Sequence, residues 1–130
     1  CIQKKEIMEF LNTNVGKRMQ NAARAKTLYR EQPFVLGVDA KEFYPDQKKG
    51  EMVLIQGIID VFWIEEDGIV VLDYKTDRVK TGKELADRYA SQLKLYGEAL
   101  ERIYNHGSER TLRVKERLLY SFRLGAVIPV

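Results

Sequence analysis

Two carboxylates and a lysine interrupt the most apolar part of this chain: Asp60 in Gly57-Ile-Ile-Asp60, then Asp73 and Lys75 in Leu72-Asp-Tyr-Lys-Thr76. An unpaired charge inside a sheet is expensive, so such groups are paired, neutralised or metal-bound. Converging carboxylates are hard oxygen donors, which select Mg²⁺ or Mn²⁺ over zinc and leave room for waters and a substrate phosphate. An ammonium beside such a cation orients or helps deprotonate an attacking water and stabilises charge on the phosphate. The chemistry open to this trio is metal-assisted attack on a phosphodiester.

Whether the three meet depends on a hairpin. Residues 52–64 and 69–74 are nearly continuous apolar runs separated by Glu65-Glu66-Asp67-Gly68, and Asp-Gly between such runs is a strong hairpin signal. With Asp67-Gly68 as a two-residue turn, Glu66 pairs with Ile69, Asp60 faces Lys75 and Phe62 faces Asp73. All four then share one face, and Asp60 becomes the diagonal neighbour of Asp73 at about 7 to 8 Å. A slip of one residue would throw Asp60 to the other face. On spacing alone, a strand-end ion pair of Asp60 with Lys75, with Asp73 solvated, is the competing arrangement.

The elements that position these residues follow from periodicity. Ile2, Ile7, Phe10 and Leu11 form a short helical stripe, and Asn12 or Thr13 can cap a second helix running to about Ala25, with Gly16 weakening its interior. Residues 27–38 are rich in β-branched and aromatic side chains, and Pro33 makes them an edge or bulged strand. Residues 44–50 have turn chemistry. Apolar side chains of both parities in the hairpin, Val61 and Trp63 against Phe62 and Ile64, require cover on both sheet faces. Thr81-Gly82-Lys83-Glu84 matches a capping box. Behind it Leu85, Tyr89, Leu93, Tyr96, Leu100 and Ile103 line one face of a long helix ending near Asn105-His106-Gly107. Residues 114–122 give a last strand. The order is helix, three strands, helix, strand: an α/β domain with a mixed central sheet flanked by helices.

Composition sets the outer limits. A chain of 130 residues with 45% hydrophobic and 32% charged residues suits one folded domain, and no run reaches the roughly 18 apolar residues of a membrane span. The single cysteine, Cys1, excludes an internal disulfide and a cysteine-ligated cluster, which fits a reducing compartment, the cytoplasm. A formal charge of +3 is mild, but Lys4, Lys5, Lys17, Arg18, Arg24, Lys26 and Arg30 gather near the start, a distribution that suits a polyanion. No glycine loop ending in Lys-Ser or Lys-Thr is present, so ATP hydrolysis is not expected of these residues. The opening on Cys1 without an initiator methionine suggests a piece of a longer chain.

Gly57-Ile-Ile-Asp60, Leu72-Asp-Tyr-Lys-Thr76 and Tyr89-Ala-Ser-Gln-Leu-Lys-Leu-Tyr96, in this order, resemble the RecB-type branch of the PD-(D/E)XK nucleases. Arg30-Glu-Gln-Pro-Phe34, Tyr74-Lys-Thr-Asp-Arg-Val79 and Leu118-Leu-Tyr-Ser-Phe122 are similar to the nuclease domain of a helicase/nuclease within that branch. The resemblance implies a restriction-endonuclease-like core over residues 1–130 that acts as a metal-dependent exonuclease on DNA. It implies that Asp60 and Asp73 ligate Mg²⁺, with Mn²⁺ as a substitute, that the Tyr74 backbone carbonyl is a third ligand, and that Lys75 is the catalytic lysine. Gln92 and Tyr96 match the helix motif, and Glu31 matches a glutamate before Pro-Phe. The resemblance further implies a bacterial, cytoplasmic parent that uses ATP in a helicase region elsewhere, serves double-strand break repair and recombination, and pairs with an AddB-type subunit. The branch also draws a metal-ligating histidine from an upstream helix. The only histidine, His106, does not match that motif and reads as a surface residue. A DNA-holding or subunit-docking module without catalysis, and a sheet with structural ion pairs only, are the rival readings.

Overall fold

A computed structural model describes residues 2–42, 50–105 and 111–130. His106 and residues 44–49 of the expected turn lie outside the described residues. Helices α1 (Lys4–Leu11) and α2 (Asn14–Arg24) precede strand β1 (Leu28–Asp39) and a 3-10 turn (Ala40–Glu42). Strands β2 (Met52–Glu65) and β3 (Gly68–Lys75), helix α3 (Gly82–Asn105) and strands β4 (Val114–Ser121) and β5 (Ala126–Pro129) follow. The expected order stands, with β5 added after a turn through Gly125, whose φ is 62°.

One five-stranded sheet runs β1-β2-β3-β4-β5. It is mixed: β1, β2 and β3 are successively antiparallel, β3 and β4 are parallel, and β5 returns antiparallel. A parallel pair needs a long crossover, and α3 is that crossover. Its apolar stripe, Leu85, Leu93, Tyr96 and Leu100, packs with Phe62, Ile69, Val71 and Leu119 on one sheet face. On the other face Phe10, Met19 and Ala22 of the first two helices pack with Val61, Trp63, Val70, Leu72 and Tyr120. Both faces of the hairpin's centre are therefore covered, as its two-sided apolar pattern requires. Cover stops short of the outer β1–β2 pairing, where Met52, Leu54, Ile58 and Val35 stay exposed.

Local chemistry fixes the helix ends. Thr13 caps α2 by accepting the Gly16 amide at 3.0 Å. Gly16, which costs helix propensity, is required by packing: a Cβ there would lie 2.2 Å from the Phe10 carbonyl oxygen, so α1 and α2 could not meet. At α3, Thr81 accepts the Glu84 amide, while Glu84 reaches back to the amide of Lys80, one residue beyond the expected box. No helix among the described residues is long and apolar enough to cross a membrane.

The hairpin turn differs from expectation. Glu65 pairs with Gly68 and Ile64 with Ile69, so Glu66-Asp67 are the turn residues. Gly68 takes φ 156°, at the margin of what a side chain allows, and a Cβ there would lie 2.7 Å from the Arg113 carbonyl oxygen. The shift is two residues, so parity is kept, and continuing the ladder past Val61 and Leu72 sets Asp60 opposite Asp73 rather than opposite Lys75.

Candidate active site

Three elements converge at the carboxyl end of β3. Asp73 and Lys75 are two residues apart on that strand and point to the α3 side. The Lys75 ammonium lies 2.7 Å from Asp73 Oδ2 and donates to Gln92 Oε1 at 3.0 Å. It also sits 3.9 Å over the Tyr89 ring. The strand-end pair of Asp60 with Lys75 is thus replaced by a pair of Asp73 with Lys75, and Asp73 is buried at 3% exposure instead of solvated.

Asp60 enters through a defect in the outer ladder. Ile59 packs on the α3 side and so does Phe62, while Val61 between them packs on the α2 side. Side chains therefore change faces once, between Ile59 and Val61, against strict alternation. Across from this point Glu31 has φ 50°, a left-handed conformation that costs a non-glycine residue roughly 1 to 3 kcal/mol. Arg30 pairs with Val61 and Gln32 with Ile59, leaving Glu31 and Asp60 as the facing positions outside the ladder. No residue is inserted, so β1 is the expected edge strand with a kink rather than a two-for-one bulge. Freed of its ladder role, Asp60 turns its carboxylate to the Tyr74 amide, accepting at 3.0 Å. It also lines a cleft of about 510 Å³ with Arg30, Glu31, Phe10, Met19 and Tyr74.

Electrostatics mark Asp73 as the strained member. Its carboxyl is pushed up from the ordinary 3.8 to about 6, first by burial and then by the neighbouring Asp60 carboxylate, with Lys75 pulling the other way. Its Oδ2 is buried without an aligned hydrogen-bond donor even though the Lys75 nitrogen is close. Tyr96, only 8% exposed, has its phenol pushed up to about 12 by burial and by the charges of Asp73 and Asp60. Its ring meets Phe34 edge-on at 5.5 Å.

The residues expected at the site divide by place. Asp60, Asp73, Lys75 and Gln92 form one connected cluster, Tyr96 lies within its field, and Glu31 stands at the Asp60 end, exposed. Tyr74 contributes its amide to Asp60, while its ring packs on the other face against Phe10 and Phe122. Sequence reasoning assigns no role at the site to Tyr89 or Asp77. Tyr89 is legible as the residue three before Gln92 on the same helix face, whereas Asp77 has no local signature. The basic start is only partly free for a polyanion: Arg18 is held by Glu65 and Glu116.

The donor set fits a hard divalent cation in part. Two carboxylates lie close together, and the buried Asp73 Oδ2 has only the poorly aligned Lys75 ammonium at 2.7 Å as a partner, which leaves it capacity to bind a cation. Among the described residues no group of three or more His, Cys, Asp or Glu side chains gathers into a metal site. Protein ligation would rest on Asp60 and Asp73, with water, backbone or phosphate oxygens completing the shell.

The PD-(D/E)XK nuclease superfamily model matches residues 3–125. The chain is similar to the A subunit of the ATP-dependent helicase/nuclease of Thermoanaerobacter sp. (strain X514), 39% identical over 95% of this chain and 10% of that protein. To the protein of the same name from Syntrophomonas wolfei it is 42% identical over 99% and 10%, and to that of Bacillus mycoides (strain KBAB4) 40% over 90% and 10%. The chain spans about one tenth of the length of these relatives. With the mixed sheet and the cluster at the end of β3, the match over almost its whole length makes this chain a member of the PD-(D/E)XK nuclease superfamily.

Proposed function

We propose that residues 1–130 are the nuclease unit of a larger ATP-dependent helicase/nuclease, hydrolysing DNA phosphodiesters as an exonuclease during double-strand break repair and recombination. The observation that carries the reading is the buried Asp73 carboxylate set against both Asp60 and the Lys75 ammonium. Such an arrangement is costly for a sheet and useful for phosphoryl chemistry. The parent is read as a bacterial cytoplasmic protein that consumes ATP outside these residues and pairs with an AddB-type subunit.

Asp60 and Asp73 would hold Mg²⁺, or Mn²⁺ in its place, with the Tyr74 carbonyl as a further oxygen. When bound, the cation supplies Lewis acidity to the phosphate and acidifies water. The Tyr74 amide fixes the Asp60 carboxylate in rotation. Gln92 accepts one Lys75 hydrogen bond, which orients the ammonium without neutralising it. Lys75 then steers the attacking water and balances charge gathering on the phosphoryl oxygens. In the displacement a water oxygen forms the new P–O bond and the ester P–O bond breaks. Water loses one proton and the leaving oxygen gains one, with no covalent bond to the protein. Tyr96 and Glu31 shape the field at the two ends of the cluster.

Titration of Mg²⁺ or Mn²⁺ into the wild-type chain and into Asp73→Ala, read by amide shifts of residues 60 and 73–75, tests the site. Shifts in wild type alone support it, and none at millimolar cation would sink it. Cleavage of single-stranded DNA should be stronger in a longer chain carrying the upstream histidine, and vanish there with Lys75→Ala. A DNA-holding module instead predicts DNA binding with cleavage absent from both lengths.

A further inference from the structure

We propose that Tyr89 is a positioning residue for Lys75, a role that rests on Lys75 acting in phosphodiester hydrolysis. Lys75 is a flexible chain ending in a compact charge, and it must be aimed by its surroundings. Two of its neighbours come from one face of α3. Gln92 accepts from the ammonium at 3.0 Å, and Tyr89, three residues earlier, presents its ring at 3.9 Å from the same nitrogen. A cation over a ring face is attracted by the ring quadrupole. This attraction leaves the charge on the ammonium intact. The site already holds two carboxylates that repel one another, so an aromatic face aims the ammonium without adding a third anion.

The ring is itself tied down. Its hydroxyl donates to Asp77 Oδ2 at 2.6 Å, and the same oxygen pairs with Arg88 at 2.8 Å. The hydroxyl and Arg88 together hold the Asp77 carboxyl below its usual range. Asp77 lies two residues after Lys75 in the connection from β3 to α3, so this clasp binds the strand's exit to the helix that carries Gln92. Tyr89 is only half-buried at the edge of the α3-side core, a poor place for a residue kept for packing alone.

The test uses Tyr89→Phe, which keeps the ring, and Tyr89→Leu, which keeps apolar bulk. In the full-length parent, single-turnover cleavage of single-stranded DNA should fall about tenfold or more in Tyr89→Leu, with KM nearly unchanged, and stay within about threefold of wild type in Tyr89→Phe. In the 130-residue chain, the Lys75 side-chain ε-protons, assigned by Lys75→Arg, should resonate upfield in wild type and Tyr89→Phe because they lie over a ring. They should return toward the open-chain position in Tyr89→Leu. Equal loss of rate in both variants, or full rate in Tyr89→Leu, overturns the proposal, as does a Lys75 resonance indifferent to the ring. If the parent cleaves no DNA at all, the nuclease reading fails while the resonance still reports whether the ring holds the lysine.

Discussion

Replacing Asp73 by asparagine should stabilise the fold while removing the chemistry, and the gain should depend on pH with a defined sign. Asp73 is 3% exposed, and its carboxyl is raised from 3.8 to about 6, chiefly by burial. A carboxyl raised in the folded state binds its proton more tightly there than in the unfolded chain. Between about pH 4 and 6 the folded form therefore carries the extra proton, and stability falls as pH rises through that window. At about 1.4 kcal/mol for each pH unit the full loss is about 3 kcal/mol. Relaxation and water at the mouth of the site reduce this to about 1–2 kcal/mol. The Lys75 pair is already included, since its pull on Asp73 is one of the causes of the net value. An asparagine at this position has no proton to lose.

Thermal unfolding of wild type and Asp73→Asn in chelator, so that no divalent ion contributes, should give matching midpoints near pH 4. By about pH 8 the Asp73→Asn variant should be more stable by roughly 3–6 °C, given the size of the domain. Added Mg²⁺ should then raise the wild-type midpoint and leave the variant unmoved, because only the wild-type native state gains a ligand. A midpoint difference that is constant with pH, or a variant that loses ground to wild type between pH 4 and pH 8, would mean that pairing, and not burial, dominates at Asp73.

Lys75→Met should lower activity by at least about a hundredfold in the full-length parent, with DNA binding largely kept, as measured by cleavage and by filter binding. Gly16→Ala should cost about 1–3 kcal/mol in denaturant melts, because its Cβ would fall 2.2 Å from the Phe10 carbonyl oxygen and backbone must move. Arg18→Met should destabilise by about 1 kcal/mol, since Glu116 loses its guanidinium partner and Glu65, now held down to about 2 first by Arg18, keeps only Lys115 and the Trp63 indole. That loss should shrink as pH falls toward the ordinary carboxylate range and Glu65 accepts a proton in the variant.

What is legible in the sequence is what a short-range rule governs. The α3 stripe as far as Leu100, the Thr81 cap, the two apolar runs and the placing of Asp73 and Lys75 on one strand face all follow from period and from residues within a few positions of one another; Ile103, expected on the stripe, lies exposed in the last turn of the helix. The turn falls elsewhere than composition predicts because Asp67-Gly68 has the makeup of a tight turn, while Gly68 is needed for a different reason, the close approach of the Arg113 carbonyl at the start of β4. That contact joins two neighbouring strands far apart in the sequence and leaves no local signature. Strand β5 has none either: Ala126–Pro129 is four residues long and is held by pairing with Leu118–Ser121 rather than by its own pattern.

The displaced turn is harmless to the site because it moves the register by an even number, yet register alone does not deliver Asp60. Strict alternation along β2 would set Ile59 and Val61 on one face, and they lie on opposite ones. The change of face is absorbed at two facing positions, Asp60 and Glu31, and the second takes a left-handed φ that its side chain disfavours. Both are acids, both leave the ladder there, and both border the same cleft. A bland sheet gains nothing from holding a glutamate in that conformation. The strain has a use if opening the ladder is what lets Asp60 swing to the Tyr74 amide and bring its charge beside Asp73. Glu31→Gly relieves the backbone cost without changing the register, so it should leave the fold as stable or more so. Glu31→Pro cannot adopt the positive φ, and should cost stability and pull Asp60 away from Tyr74 together. The Tyr74 amide, which donates to Asp60, should exchange slowly in wild type and in the glycine variant; faster exchange in the proline variant alone would tie the distortion to the carboxylate it frees.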